Sequence, residues 1–214
     1  MSSNVSAKSP KVNVQTANEN TPGIAMGRLQ FRAFTPNGNF SIEDHTMALP
    51  DTITHQDRLL CVDTNLGAFV EGLLHPGIKV YPLFLDPHNG IWCLRVKFAP
   101  GITLPLHFHT GTVHLYTLSG CWYYSEYPEQ KQTAGMYLYE PGGSVHQFNT
   151  PADNSEDTDT FMIVSGSNIN FSAEGEYLGM MDAGMIKTWV DQGIREQGCD
   201  RMTYITPPMP RYAR

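Results

Sequence analysis

Downstream of Ile53 the chain alternates short apolar runs with clusters of Gly, Pro, Asn and Asp. The clearest run is 91–98 (IWCLRVKF), where Trp92, Leu94, Val96 and Phe98 fall on one side and Arg95 and Lys97 on the other. Side chains of an extended chain point alternately to its two faces, so this run reads as a half-buried strand. Similar runs predict strands at 78–85, 102–109, 113–118, 121–127, 136–140, 145–149 and 160–164. Short strands at regular spacing with turn formers between them describe a sandwich or barrel.

The period changes near the C-terminus. In 182–197 (DAGMIKTWVDQGIREQ), Met185 and Trp189 are four apart, as are Ile186, Val190 and Ile194. That spacing is a helical stripe, with Asp182 as N-cap and Gly198 as stop. Met185, Trp189 and Ile194 are expected to pack this helix over the strands, ahead of an extended, proline-bound tail. Residues 1–26 carry few large apolar groups and read as a flexible arm. Residues 27–34 (GRLQFRAF) place Leu29, Phe31 and Ala33 on one side, a short strand signal, and 27–52 reads as an extended arm and linker. The expected division is therefore 1–26, 27–52, a barrel over 53–175, and the helix and tail over 176–214. No internal repeat suggests a duplicated domain.

Charge narrows the function. With 14 Lys and Arg against 21 Asp and Glu, the formal charge is −7, and no basic run interrupts it. Such a chain is poorly suited to nucleic acid or an anionic membrane surface. No run of about 18 apolar residues is present to span a bilayer, and the N-terminus lacks the apolar core of a secretory signal. Cys61, Cys93, Cys121 and Cys199 form no CxxC pair and are expected to be reduced core residues of a cytoplasmic protein.

The chemistry gathers on histidine. His107 and His109 are separated by one residue on a predicted strand, so both imidazoles face one side, with Cα atoms about 6.6 Å apart. His146 follows the turn Pro141-Gly142-Gly143 on another predicted strand. If the two strands meet, three imidazoles can cap one face of a divalent ion and leave positions open for other ligands. Such a set suits Fe(II), Zn(II) or Mn(II).

The surroundings of these histidines form two ordered patterns. Gly101, five residues, His107-x-His109 and later Gly120 make the first; Gly135, five residues, Pro141-x-Gly143, two residues and His146 make the second. In order and spacing the pair resembles the two motifs of the cupin superfamily. The resemblance implies an all-β fold, the double-stranded β-helix or jelly-roll barrel, with one barrel per chain and the metal inside. Two positions depart from the usual pattern. The glutamate that many cupins place after the HxH pair is replaced by Val113, and the asparagine that commonly ends the second motif is replaced by Thr150, with Asn149 one position short. A three-histidine site without a carboxylate is expected, His107, His109 and His146, with His114 as the further candidate should a bulge turn it inward.

The stretches HFHTGTVHLYTLSGCWYY and AGMYLYEPGGSVHQF, with IKVYPLFLDPHNGIWCLRVKFAPG before them, are similar to the dihydroxyacetophenone dioxygenase-like branch of that superfamily. That resemblance implies a non-haem Fe(II) enzyme, acting through the three histidines. It would insert both atoms of O₂ across a C–C bond of an aromatic α-hydroxyketone, or of a related diketone, giving carboxylic acids. His114, Glu126 and Glu140 are candidates for the base, although Glu140, just before the PGG turn, reads better as a turn or interface salt bridge. Tyr116, Tyr123, Tyr137, Tyr139, Trp92 and Trp122 could line an aromatic pocket. A Zn-binding sensor and a non-redox isomerase or hydrolase are the competing classes. Exposed strand edges, with the 27–34 strand as a clasp, suggest a homodimer or higher homo-oligomer.

Overall fold

The computed structural model describes residues 59–208 together with two strands further upstream. The chain divides into two units, 1–58 and 59–214. In the first, β1 (Phe31–Phe34) and β2 (Phe40–Glu43) pair antiparallel. The expected 1–26 arm lies outside the described residues.

The second unit is all-β with one helix. Its strands are β3 (Val70–Glu71), β4 (Ile78–Asp86), β5 (Ile91–Phe98), β6 (Leu106–His109), β7 (Val113–Ser119), β8 (Cys121–Tyr124), β9 (Gln132–Thr133), β10 (Tyr137–Glu140), β11 (Phe148–Asn149), β12 (Thr158–Ser165), β13 (Asn168–Phe171) and β14 (Tyr177–Met181). A six-stranded sheet runs β10-β7-β12-β5-β4-β3. Facing it are two three-stranded sheets, β11-β8-β9 and β14-β13-β6. Bridges at Thr103–Asn149 and His107–His146 join these two edge to edge. The expected all-β cupin-like fold is thus present as facing sheets; among the described residues no sheet closes on itself.

The alternation read from β5 holds. Trp92, Leu94, Val96 and Phe98 are all buried, and their partners on β12 (Val164, Met162, Thr160 and Thr158) share the inner face. The tilted Phe98–Phe148 ring contact closes the gap between the layers. Buried indole groups find acceptors: Trp92 donates to the Gly166 carbonyl at 3.0 Å and Trp122 to Thr117 Oγ1 at 2.9 Å. The β4 strand contains Pro82, which has no N–H to give the ladder. The register shifts there, with Pro82 opposite Leu94 and Phe84 opposite Cys93, so the strand continues by bulging around Leu83.

Helix α1 (Ala183–Gln197) starts and stops as the sequence predicts. Asp182 accepts a hydrogen bond from the Met185 N–H at 2.8 Å, and Gly198 closes the helix in the left-handed region. Its buried stripe is Ala183, Ile186, Val190 and Gly193; Ile194 packs at the margin, while Met185 and Trp189 are only half-buried. The helix lies on β3 and β4, away from the layer that carries the histidines. β13 (NINF) alternates over only four residues, and β14 (YLGMM) does not alternate. β14 lies wholly beyond residue 175, the expected end of the barrel, and pairs with β13. Of the cysteines, only Cys199 is buried; Cys61 is exposed, Cys93 and Cys121 are half-buried, and none is paired.

Candidate metal centre

The two histidine motifs are brought together by backbone hydrogen bonds. His107 N–H donates to the His146 carbonyl and His146 N–H to the His107 carbonyl, both at 2.9 Å. That reciprocal pair sets the rings of His107 and His146 4.5 Å apart between centroids. The PGG turn is held to β6 by Gly143, whose φ of 83° an L side chain rarely adopts and whose N–H donates to the His109 carbonyl at 2.8 Å. A Cβ at Gly142 would lie 3.1 Å from the Thr110 carbonyl, so the turn also needs its small residue to sit that close.

One ligand atom from each of His107, His109 and His146 lies within 4.8 Å of the others, and all three residues are buried. The Pro105 carbonyl lies 2.8 Å from His107 Nδ1, which leaves its Nε2 to face the centre. The cluster is suited to a divalent metal. His114 does not join it. Alternation along β7 turns His114 to the outer face, where it is exposed and its Nδ1 lies 2.7 Å from the Tyr137 hydroxyl. The bulge that would have turned it inward is absent from the β7–β10 pairing.

A carboxylate stands beside the three expected histidines. Glu140, at the end of β10, is the cross-strand partner of Val113, the position where a glutamate was missing. Its side chain is buried, with Oε2 3.4 Å from His146 Nε2 and 3.6 Å from His109 Nε2. Ligand atoms about 2.0–2.2 Å from one tetrahedral metal stand about 3.4 Å apart, so these separations fit a shared ion. Oε2 has no hydrogen-bond partner, while Oε1 accepts from the Tyr124 hydroxyl. An orphaned carboxylate oxygen aimed at uncharged imidazole nitrogens is the donor set that a cation would complete.

Burial governs the protonation of this cluster. It pushes His109 and His146 down to about 3, with the neighbouring histidines adding to the effect; the Ser144 backbone opposes it at His146. His107 is lowered for the same reason, against the pull of the Pro105 carbonyl. Burial pushes Glu140 up to about 7, although the Tyr124 hydrogen bond draws it down. Without metal, the Glu140–histidine approach is therefore one between neutral groups near and below neutrality, not a salt bridge.

Around the cluster lies a chamber of about 80 Å³. Trp92, Leu94, Val96, Phe98, Val113, Leu115, Phe148 and Met162 make most of its wall, with no Lys or Arg. A vestibule of about 470 Å³, lined by His75, Thr103, Pro105, Gln147 and Asn170, adjoins it. Leu74, Leu104, His107, Asn168 and Met181 line both spaces and form the neck between them. Of the aromatic residues singled out from the sequence, Trp92 lines the chamber and Trp122 is core. Tyr116, Tyr137 and Tyr139 lie exposed on the outer face, and Tyr123 lies under the Lys131 ammonium. Glu126 is exposed and accepts from the Gln147 N–H. Tyr124 and Asn168 were not anticipated. Tyr124 stands two residues from Trp122 in an alternating strand, and that spacing was the available signal.

Fold and site together define a cupin with a metal-binding centre. The chain belongs to the ChrR cupin-like domain family, whose profile matches residues 56–168. It is similar to the crystal structure of a protein of unknown function with a cupin-like fold from Ralstonia eutropha JMP134. Identity there is 60%, covering 76% of this chain and 100% of that one, with a TM-score of 0.72. An RmlC-like cupin from the same organism is 24% identical over 66% of this chain and 90% of that one, with a TM-score of 0.61. The acetylacetone dioxygenase of Acinetobacter johnsonii shares the fold at 15% identity, covering 69% and 99% of the two chains, with a TM-score of 0.53. No curated protein matches the sequence. Among the described residues no helix is long and apolar enough to cross a membrane.

Proposed function

We propose that this protein is a metal-dependent dioxygenase of the dihydroxyacetophenone dioxygenase-like branch, with Fe(II) held by His107, His109 and His146. The substrate would be an aromatic α-hydroxyketone or a related diketone. The observation that carries the reading is the buried cluster of three neutral histidines in an apolar chamber. A bound divalent ion supplies Lewis acidity to adjacent substrate oxygens and, as Fe(II), a redox partner for O₂.

The chain's own residues account for the rest. The chamber, at about 80 Å³, is roughly half of the ~150 Å³ that admits benzene. It takes the oxygen-bearing head of the substrate, and the ring lies across the neck in the vestibule, against Leu74, Leu104, Pro105 and Met181. The apolar walls exclude water from the reacting end. Glu140, its Oε1 held by Tyr124 and its Oε2 turned toward the cluster, would add a carboxylate donor beside the three histidines. Lack of Lys and Arg in the chamber disfavours a sugar-phosphate isomerase. Cleavage of ArCOCH₂OH with O₂ to ArCOOH and HCOOH places both oxygen atoms in the two acids. The protein works in the cytoplasm as a homodimer or higher homo-oligomer. The outer face of β10, β7 and β12 supports the assembly, since Tyr116, Leu118, Tyr137, Tyr139 and Ile163 are exposed there without a charged residue among them.

The test is metal analysis after anaerobic purification, then O₂ consumption with a panel of aromatic α-hydroxyketones and β-diketones. Uptake of one O₂ per ketone with release of the matching acids is expected. A fully iron-loaded protein that consumes no O₂ with any of them overturns the dioxygenase reading.

A further inference from the structure

Two of the buried polar atoms that lack a hydrogen-bond partner are His109 Nδ1 and Asn168 Oδ1. They are complementary, since a ring nitrogen that carries its proton donates and an amide oxygen accepts. His109 and Asn168 are also register partners across the β6–β13 pair. The neighbouring pair, Thr110 and Ser167, carries the hydrogen bond, from Thr110 N–H to the Ser167 carbonyl at 2.9 Å. His109 and Asn168 therefore occupy the non-hydrogen-bonded position, where facing side chains stand closest, with Cβ atoms about 4.5–5.5 Å apart. Both side chains line the metal chamber. The pattern repeats one step on: His107-x-His109 on one strand faces Asn168-x-Asn170 on the other.

The three histidines are not held alike. His107 Nδ1 is 2.8 Å from the Pro105 carbonyl, and Ser144 makes a backbone hydrogen bond to His146. Only His109 has a buried ring nitrogen left over. Its Nε2 is the nitrogen that approaches Glu140 Oε2, so Nδ1 is turned away from the centre. A metal-bound imidazole is usually fixed by a hydrogen bond from its other nitrogen, and the partner sets both ring orientation and tautomer. Asn168 is oriented to be that partner: its Nδ2 is directed to Asn170 Oδ1 at 3.4 Å, which leaves Oδ1 free.

We infer that Asn168 is a positioning residue for the metal centre, its Oδ1 accepting the His109 Nδ1 proton, directly or through one water, when the three histidines hold a metal. The inference rests on the metal-centre part of the proposed function and not on the oxygen chemistry. It explains why an amide is kept nine-tenths buried beside an apolar wall, and why the acceptor comes from β13: the carbonyl two residues before His109, that of His107, already accepts from the His146 N–H.

The experiment compares the full-length protein with Asn168→Leu and Asn168→Asp. Leu keeps the volume and removes the acceptor; Asp keeps an acceptor. Zn(II) affinity is measured by chelator competition, the Co(II) visible spectrum reports ligand geometry, and melting of the metal-free proteins reports folding. Asn168→Leu is expected to lose tenfold to a hundredfold in Zn(II) affinity, with an altered Co(II) spectrum and a metal-free melting temperature close to wild type. Asn168→Asp is expected to stay within about threefold of wild type in affinity. In the Zn(II)-loaded wild type, a ¹⁵N spectrum should show a protonated, hydrogen-bonded Nδ1 on His109 that is lost in Asn168→Leu. Wild-type Zn(II) affinity in Asn168→Leu overturns the inference, as does an equal loss in Leu and Asp variants. A wild-type protein that binds no metal at all overturns the metal-centre reading itself, and is distinguished by that result.

Discussion

Glu140 faces Val113 directly across the β7–β10 ladder, and the two side chains line one chamber. A carboxylate therefore stands on the neighbouring strand, opposite the position where the first motif lacks one. Glu140→Val is expected to weaken metal binding at least tenfold. Val113→Glu alone puts a second carboxyl beside a buried one and should lower stability by on the order of 3 kcal/mol, because the added charge has no partner. Combining the two moves the carboxylate from β10 to β7 and should recover most of the metal affinity. Metal content by elemental analysis and urea unfolding check the three variants. Wild-type metal affinity in Glu140→Val would remove Glu140 from the centre.

His107→Ala, His109→Ala and His146→Ala should each cut metal content sharply, since each leaves two imidazoles where three converge. His114→Ala and His75→Ala should keep the metal, both residues being exposed and away from the cluster. Full occupancy in the His146 variant would end the three-histidine description.

The metal-free protein should lose stability as pH falls below about 6.5. His109 and His146 lie at about 3 in the fold against an ordinary 6.5, so they contribute stability that is lost as pH falls from 6.5 toward 3. Glu140 has the opposite sign. Raised to about 7 from 4.5, it contributes stability that is complete below 4.5 and lost as pH rises through 7. Three lowered histidines outweigh the one raised carboxyl, so the net change on the acid side follows the histidines. Denaturation of the metal-free protein across pH 4–8 should show stability falling on the acid side of 6.5, and Glu140→Gln, which removes the opposing group, should steepen that fall.

The helix is seated through Gly193. A Cβ there would come within 2.2 Å of Val70 Cγ1, a fully buried and β-branched side chain with little freedom to turn aside. Gly193→Ala should cost about 1–3 kcal/mol by overpacking, and Val70→Ala in the same chain should return part of that loss. Thermal unfolding of the single and double variants measures both. Additive losses would show that the two residues do not meet.

The amino-acid sequence by itself determined the strands with strong alternation, the C-terminal helix with both caps, and the three histidines. Each is a local matter: β5 alternates because one face is buried, α1 repeats at helical spacing because one stripe is buried, and His107-x-His109 share a face because strand side chains alternate. The same alternation sends His114 outward. Tertiary structure alone decided the rest. Glu140, beside a turn, reads as a surface group until the β7–β10 register sets it opposite Val113 and its burial removes it from water. Asn168 lies 59 positions after His109, in a strand of only four residues, and only the β6–β13 pairing makes them neighbours. The arrangement of the sheets in facing layers likewise depends on which edges meet. Periodicity reports which way a side chain faces relative to its own strand; pairing across strands, which brings donors of a metal site together, is a property of the whole fold.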